Sequence, residues 1–199
     1  MNNLSDVEME SLKKAVNAIT PMSDSDFEML FPLLQKRTVK KGDYILKEGE
    51  ISKHIFFLVS GLVRMYLIDF EGNDISYRFT NTNRFFVDFQ SLLTQQPSHY
   101  FLQALQDTTM LIIGYEDVLH TYKLSPAWNN FGRVWSEHVY LQLNERVEML
   151  LLMKPEERYL YLLNKQPYLF NEVSQIHLSS YLGIKPESLS RIRKRVLHK

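Results

Sequence analysis

The chain has 199 residues, of which 45% are apolar and 23% charged, a composition typical of a globular protein with one or two domains. It contains no cysteine, which excludes disulfides, cysteine nucleophiles and cysteine-ligated metal sites. Basic and acidic side chains number 23 each, so the formal net charge is zero. No apolar run approaches the ~20 residues of a membrane helix and the start is unlike a signal peptide, so we expect a cytoplasmic protein with no membrane partner.

Two short helices are predicted at the beginning of the chain. Ser5 followed three residues later by Glu8 is typical of a capping box at a helix start, and Pro21 indicates where this helix closes. Ser23 indicates the start of a second helix, which we expect to run to about Gln35.

A region rich in short β-type runs extends from Arg37 to Ile113. Runs such as YILKEGE, HIFFLVSGLVRMYLIDF and TTMLIIGY are separated by Gly, Asn and Asp, and Glu71-Gly72-Asn73-Asp74 is typical of a hairpin turn. Several short strands at such spacing predict an antiparallel sandwich or barrel, and we interpret this region as a jelly roll.

A long helix is predicted from Ser125-Pro126 to Lys154, and Pro155 opens the next helix. Its apolar residues recur about once per turn, in the order Trp128, Phe131, Trp135, Val139, Leu143, Val147 and Leu150. The stripe either packs wholly within one subunit or also contacts a partner chain. Because it is long for one small domain, we predict dimerisation through residues 127–152, with Trp135 or Leu143 near a two-fold axis.

Positive charge is concentrated at the end of this neutral chain. From Lys185 onward there are six Lys or Arg and a single acid, Glu187, so this end carries +5 and the rest of the chain −5. A basic cluster attracts phosphate groups. The alternative is that these cations only stabilise the C-terminal end of a helix through its dipole.

The spacing of apolar residues in the same region is that of a helix-turn-helix. Leu178 and Leu182 share a helix face, as do Leu189 and Ile192, so two short helices can pack their apolar sides together. Ser179 allows close approach, Gly183 permits the turn, and Pro186 presets the first turn of the second helix. A plain α-helical hairpin is the alternative interpretation.

With that core assigned, the outer face of the second helix is polar and basic, and we predict double-stranded DNA as its partner. Arg191 can bind guanine with two hydrogen bonds and Glu187 can accept one from cytosine, while other basic side chains bind phosphate. The predicted DNA-contacting residues are Gln175, Lys185, Glu187, Ser188, Ser190, Arg191, Arg193, Lys194 and Arg195.

This order of elements resembles the Crp/Fnr family of bacterial transcription regulators, in the short form common in Bacteroidetes. The runs LKEGE and FFLVSGLVRMY look like the first strands of a cyclic-nucleotide-binding-like domain, and SQIHLS through Gly183 to ESLSR looks like the family's helix-turn-helix. The resemblance implies an α+β fold: an N-terminal antiparallel jelly roll (1–125), a long connecting dimerisation helix (126–154) and a helix-turn-helix domain (155–199). It also implies a homodimer that binds a pseudo-palindromic operator and regulates transcription through RNA polymerase.

The chain departs from the family pattern in both halves. Pro186 stands where the recognition helix often has an Arg, so one base contact is missing and the half-site should differ. Members that bind cyclic AMP use a Gly-Glu pair and an Arg-Ser or Arg-Thr pair, and the aligned pairs here are Asp88-Phe89 and His99-Tyr100. We therefore expect a small-molecule effector other than cyclic AMP, bound near Asp88, Phe89, His99 and Tyr100.

Two other classes of protein are alternatives to a transcription regulator. A cupin-like binding protein or enzyme shares the barrel, but the histidines here (54, 99, 120, 138, 177 and 198) are scattered singly, without the close pair that a metal cupin needs. A protein-interaction module could use the terminal helices against protein instead of DNA. We expect no enzymatic activity, no metal and no cofactor.

Overall fold

The structure, a computed structural model, describes residues 4–197 and begins with two helices. Helix α1 spans Asp6–Asn17, and its capping box is formed as predicted: the Ser5 hydroxyl accepts from the Glu8 N–H, and the Glu8 carboxylate accepts from the Ser5 N–H at 2.8 Å. Helix α2 spans Asp24–Leu30 with Ser23 as its N-cap. The predicted extension to Gln35 is wrong, because a short 3₁₀ turn at Phe31–Leu33 leads directly into a strand.

Eight strands in the described residues form two sheets of four. They are β1 Gln35–Val39, β2 Tyr44–Leu46, β3 His54–Ser60, β4 Val63–Ile68, β5 Asp74–Thr80, β6 Arg84–Phe86, β7 Phe101–Ala104 and β8 Thr108–Gly114. The strand orders are β1-β8-β3-β6 and β2-β7-β4-β5, and the fold is the predicted antiparallel α+β arrangement. The β4–β5 turn begins at Asp69, two residues before the predicted turn, and Asp74 is already in β5.

Two helices not predicted from the sequence accompany the sheets, α3 Phe89–Thr94 and α4 Tyr115–Leu124. Aromatic pairs on neighbouring strands hold the first sheet together: Phe56 stacks on Phe86 at 4.9 Å between ring centroids, and Phe57 contacts Phe85 at 5.0 Å. These pairs follow the β3–β6 register, so cross-strand contacts set much of the core.

The long helix α5 spans Pro126–Leu152 and ends two residues before the predicted boundary. Its start is confirmed, since the Ser125 hydroxyl accepts a hydrogen bond from the Trp128 N–H at 3.3 Å. After it come α6 Pro155–Lys165, the short α7 Leu169–Glu172, α8 Gln175–Leu182 and α9 Pro186–Leu197. None of the helices in residues 4–197 has the length and apolar composition that a bilayer crossing needs.

The chain forms two compact units. One consists of the chain up to Met65 together with Phe79–His138, and the other of Tyr66–Arg78 together with the chain from Val139 onward. The hairpin of β4 and β5 therefore contributes to the second unit, and α5 has residues in both. The predicted division into 1–125, 126–154 and 155–199 stays a prediction.

Candidate nucleic-acid interface

The turn between α8 and α9 is built around Gly183, as predicted. Its φ of +63° is left-handed, and its N–H donates to the Ser180 carbonyl while the Ile184 N–H donates to that of Ser179, both at 3.1 Å. A Cβ at this position would lie 3.2 Å from the Arg158 guanidinium and 3.3 Å from Leu150. A larger residue would thus meet both backbone strain and tight contacts.

The inner faces of α8 and α9 form the apolar core of the helix-turn-helix. Leu178, Leu182, Leu189 and Ile192 are all buried, with Leu182 fully excluded from solvent. Ser179 is also buried, and its hydroxyl donates to the Ile176 carbonyl at 2.9 Å. Ser174 caps α8 by accepting from the His177 N–H. The predicted packing of two short helices is therefore present.

The opposite face of α9 is exposed and basic. Glu187, Arg191, Arg193 and Lys194 are exposed, and Ser188 and Ser190 are half-buried. Within residues 4–197, no carboxylate forms an ion pair with Lys185, Arg191, Arg193 or Lys194. The Arg191 guanidinium donates to the Ser188 hydroxyl at 3.3 Å. This face thus presents positive charge that no ion pair within residues 4–197 neutralises at these four side chains.

Besides Arg191 and Ser188, two more of the predicted DNA-contacting residues have partners within the chain. Arg195 forms an ion pair with Glu156 of α6. The Gln175 amide donates to the Pro186 carbonyl at 3.1 Å, so it bridges the start of α8 and the start of α9. Lys199, which contributes to the basic end, and His198 lie outside the described residues.

Sequence reasoning missed a direct connection between β5 and α8. The Ser180 hydroxyl accepts from the Ser76 N–H at 2.8 Å and donates to the Asp74 carbonyl at 2.9 Å, and the Ser76 hydroxyl donates to the His177 carbonyl at 3.0 Å. Ser76 is fully buried. Neither serine carries a sequence signal for this contact, because the two are 104 residues apart.

The four residues predicted for an effector pocket have separate environments. Asp88 is 2% exposed and caps α3, accepting from the Ser91 N–H at 3.2 Å. Phe89 packs against Trp135 of α5, with 4.9 Å between ring centroids. His99 is exposed and Tyr100 is half-buried. The geometry thus explains Asp88 and Phe89 as structural residues, and the pocket stays a prediction.

A cavity of about 50 Å³ lies between the first sheet and the helices that cover it. Its walls are almost entirely apolar and include Leu34, Phe57, Phe85, Leu111, Phe131 and Trp135. None of the four predicted pocket residues lines it. Beside it α4 and α5 approach closely, since a Cβ on Gly132 would lie 2.2 Å from the Tyr122 hydroxyl oxygen. Burial raises the pKa of that Tyr122 phenol.

Part of the chain is similar in sequence to known proteins. The model of the cyclic nucleotide-binding domain family matches residues 36–124. The anaerobic regulatory protein of Bacillus subtilis is 29% identical over 99 residues, which cover 46% of this chain and 41% of that protein. The match therefore spans about two fifths of that relative's length.

Two solved structures are similar over most of both chains. FixK2 from Bradyrhizobium japonicum has a TM-score of 0.71 at 17% identity and covers 83% of this chain and 85% of its own. A transcriptional regulator assigned to the Crp/Fnr family, from Eubacterium rectale, has a TM-score of 0.68 at 17% identity, with coverages of 87% and 83%. The chain has the fold of a Crp/Fnr-type regulator. The resemblance predicted from the Crp/Fnr-like motifs is thus confirmed, with a cyclic nucleotide-binding domain in the N-terminal part.

Proposed function

We propose that this Crp/Fnr-type chain is a sequence-specific DNA-binding regulator of transcription and not an enzyme. The observation that carries the proposal is the exposed basic face of α9, which lies opposite the buried Leu189 and Ile192 and lacks ion-pair partners at Lys185, Arg191, Arg193 and Lys194 within residues 4–197. A helix of this kind fits a DNA major groove and binds phosphates. The B. subtilis relative, a regulatory protein, supports the same class of function.

Arg191 and Glu187 read bases. The neighbouring basic side chains bind phosphate. Both base-reading residues lie in the first half of α9, the part of a recognition helix that meets base edges. Pro186 before them has no N–H and no polar side-chain group with which to read a base. Ser188 and Ser190 lie beside this pair, and Gln175 stands at the start of α8, where side chains commonly reach phosphates.

The chain acts as a homodimer joined along α5. Trp128, Phe131, Trp135 and Val139 are buried, and Trp135 contacts Phe85 at 5.4 Å, so Trp135 is occupied within its own chain. The later turns of the helix leave apolar side chains exposed, namely Tyr140 (67%), Leu141 (60%), Val147 (52%), Leu151 (76%) and Leu152 (78%). Tyr140, Val147 and Leu151 share one helix face by their spacing. The proposed interface therefore lies in the second half of α5, including Leu143, and not at Trp135.

Regulation is by a small-molecule effector other than cyclic AMP, and RNA polymerase is the partner on DNA. Residues 36–124 match the cyclic nucleotide-binding domain family, yet the positions aligned with its phosphate-binding pair are His99 and Tyr100. A neutral histidine is a weak substitute for an arginine at a phosphate.

Selection of bound DNA from a random pool tests the proposed function. A recovered palindrome with half-sites ~34 Å apart is the expected result for two recognition helices related by a two-fold axis. Affinity should fall steeply with salt, because phosphate contacts release counterions. A protein-interaction module would instead recover no common sequence and show little dependence on salt.

A further inference from the structure

Two arginines of the second compact unit, Arg78 of β5 and Arg146 of α5, are half-buried and share Tyr77 and Tyr181 as electrostatic neighbours. The Arg78 Nη2 donates to the Gln142 Oε1 at 2.9 Å, and Gln142 stands one helical turn before Arg146 on the same face of α5. The guanidinium carbon of Arg146 lies 3.7 Å from the ring centroid of Tyr181, and its Nη2 donates to the Tyr181 carbonyl. Arg146 thus lies beside the end of α8, and Gln142 connects its helix to Arg78.

Arg146 has hydrogen-bond donors that the described residues leave unused. Its Nε and Nη1 are buried and have no hydrogen-bond partner there. In residues 4–197 no carboxylate forms an ion pair with Arg78 or Arg146. Buried N–H groups on a cation are costly unless an acceptor is supplied.

The electrostatics agree with this geometry. Burial lowers the pKa of Arg78 and of Arg146, and the nearby Tyr181 and Tyr77 only partly oppose that effect. The charge of Arg158 lowers the pKa of Arg146 further. An anion bound here would offset the cost of desolvating Arg146 and the repulsion between the guanidinium groups of Arg146 and Arg158.

Arg158 shows what a purely structural arginine looks like in the same region. Its Nε donates to the Met153 carbonyl at 2.9 Å, its Nη1 to Leu182 at 3.0 Å and its Nη2 to Leu150 at 2.8 Å. These carbonyls belong to the ends of α5 and α8, so Arg158 closes two helix termini and uses all three nitrogens. Arg146 has one backbone acceptor and two unused nitrogens.

We propose that Arg78 and Arg146 form a binding site for a small oxyanion, a phosphate or carboxylate group. Guanidinium groups match both kinds of oxyanion in geometry and charge. The unused nitrogens of Arg146 are buried, so a small ion suits them better than a macromolecule does. The site is separate from Asp88, Phe89, His99 and Tyr100, and it does not depend on whether α9 binds DNA.

Thermal unfolding of the full chain, titrated with inorganic phosphate, with malonate and with chloride at constant ionic strength, tests the site. We expect a saturable rise of the midpoint with phosphate or malonate and none with chloride, since an ion that binds only the folded state stabilises it. The phosphate and malonate titrations distinguish a phosphate ligand from a carboxylate ligand. Arg146→Met and Arg78→Met should each raise the half-saturating concentration roughly tenfold or more.

Arg133→Met is the matched control. Arg133 is an exposed arginine on the same helix and already forms an ion pair with Glu137 at 2.5 Å, so this variant should keep the saturable rise. Equilibrium dialysis of labelled phosphate against the unmodified protein keeps the test decisive if the Met variants fold poorly. The proposal is overturned if neither anion differs from chloride and dialysis finds no saturable binding, or if folded Arg146→Met retains the response in full.

Discussion

The hydroxyl of Ser180 on α8 forms hydrogen bonds with two backbone groups of β5. It accepts a hydrogen bond from the Ser76 N–H at 2.8 Å and donates one to the Asp74 carbonyl at 2.9 Å. One side chain thereby satisfies two backbone groups of the β4–β5 hairpin. The first helix of the helix-turn-helix is consequently attached to the hairpin by hydrogen bonds that an alanine at position 180 cannot form, since its side chain has no polar atom.

Ser180→Ala should lower the free energy of unfolding by about 1–3 kcal/mol, because the buried Ser76 loses the hydrogen bond from its N–H to the Ser180 hydroxyl. Chemical denaturation followed by circular dichroism measures the change. Ser136→Ala is the control: Ser136 is an exposed residue of α5, and its hydroxyl donates to the Gly132 carbonyl of the same helix. Equal midpoints for both variants and the unmodified protein would contradict the proposed importance of the Ser76–Ser180 contact.

Arg191→Ala should weaken binding to the selected DNA site by about 1–3 kcal/mol and relax the preference at one base pair, because a base-reading group is lost. Lys194→Ala should weaken all sequences to a similar extent and reduce the slope of log affinity against log salt by about one unit. Fluorescence anisotropy with specific and scrambled duplexes at several salt concentrations separates the two effects. Unchanged affinity of Arg191→Ala for its best site would show that this residue does not read DNA.

Leu151→Lys should favour the monomer, because it places a charge on the most apolar part of the proposed α5 interface, where the side chain is 76% exposed in the single chain. Light scattering at micromolar concentration measures the mass. Val7→Lys is a suitable control, since Val7 on α1 is 78% exposed and lies outside the proposed interface. A monomeric unmodified protein at these concentrations would exclude the dimer altogether.

Neither cyclic AMP nor cyclic GMP should bind with an affinity useful for regulation. The aligned phosphate-binding pair is His99 and Tyr100, and loss of a charge-assisted hydrogen bond removes roughly 1.5–3 kcal/mol per bond. Phe89, which is aligned with the ribose-binding Glu, packs against Trp135 and has no polar side-chain group for a ribose hydroxyl. Calorimetry checks this expectation, and a dissociation constant below ~50 μM for either nucleotide, together with tighter DNA binding, would falsify it.

The helix-turn-helix could be predicted from the sequence because its signals are local. Leu178 and Leu182, like Leu189 and Ile192, are three or four residues apart, and Gly183 and Pro186 mark the turn between them. The same holds for the capping box of Ser5 and Glu8. Such patterns depend on the helical repeat alone and require no knowledge of distant parts of the chain.

The features that were missed depend on tertiary contacts. Strands β6 and β7 have three and four residues, too few for a periodic pattern to show. The Arg78–Gln142 hydrogen bond joins residues 64 positions apart. Trp135 was predicted near a dimer axis because periodicity gives the apolar face of α5 but not what covers it, and the structure covers that part of the face with Phe85 and Phe89.

The cavity between the first sheet and its covering helices makes this layer compressible. Its volume of about 50 Å³ is bounded by apolar side chains that lack partners on one side, and at ~24 cal/mol per Å³ the lost packing corresponds to about 1 kcal/mol. Because unfolding removes such internal space, hydrostatic pressure favours states in which Phe57, Phe131 and Trp135 separate. Trp128 and Trp135, the two tryptophans of the chain, both line the cavity, so intrinsic fluorescence follows this separation under pressure.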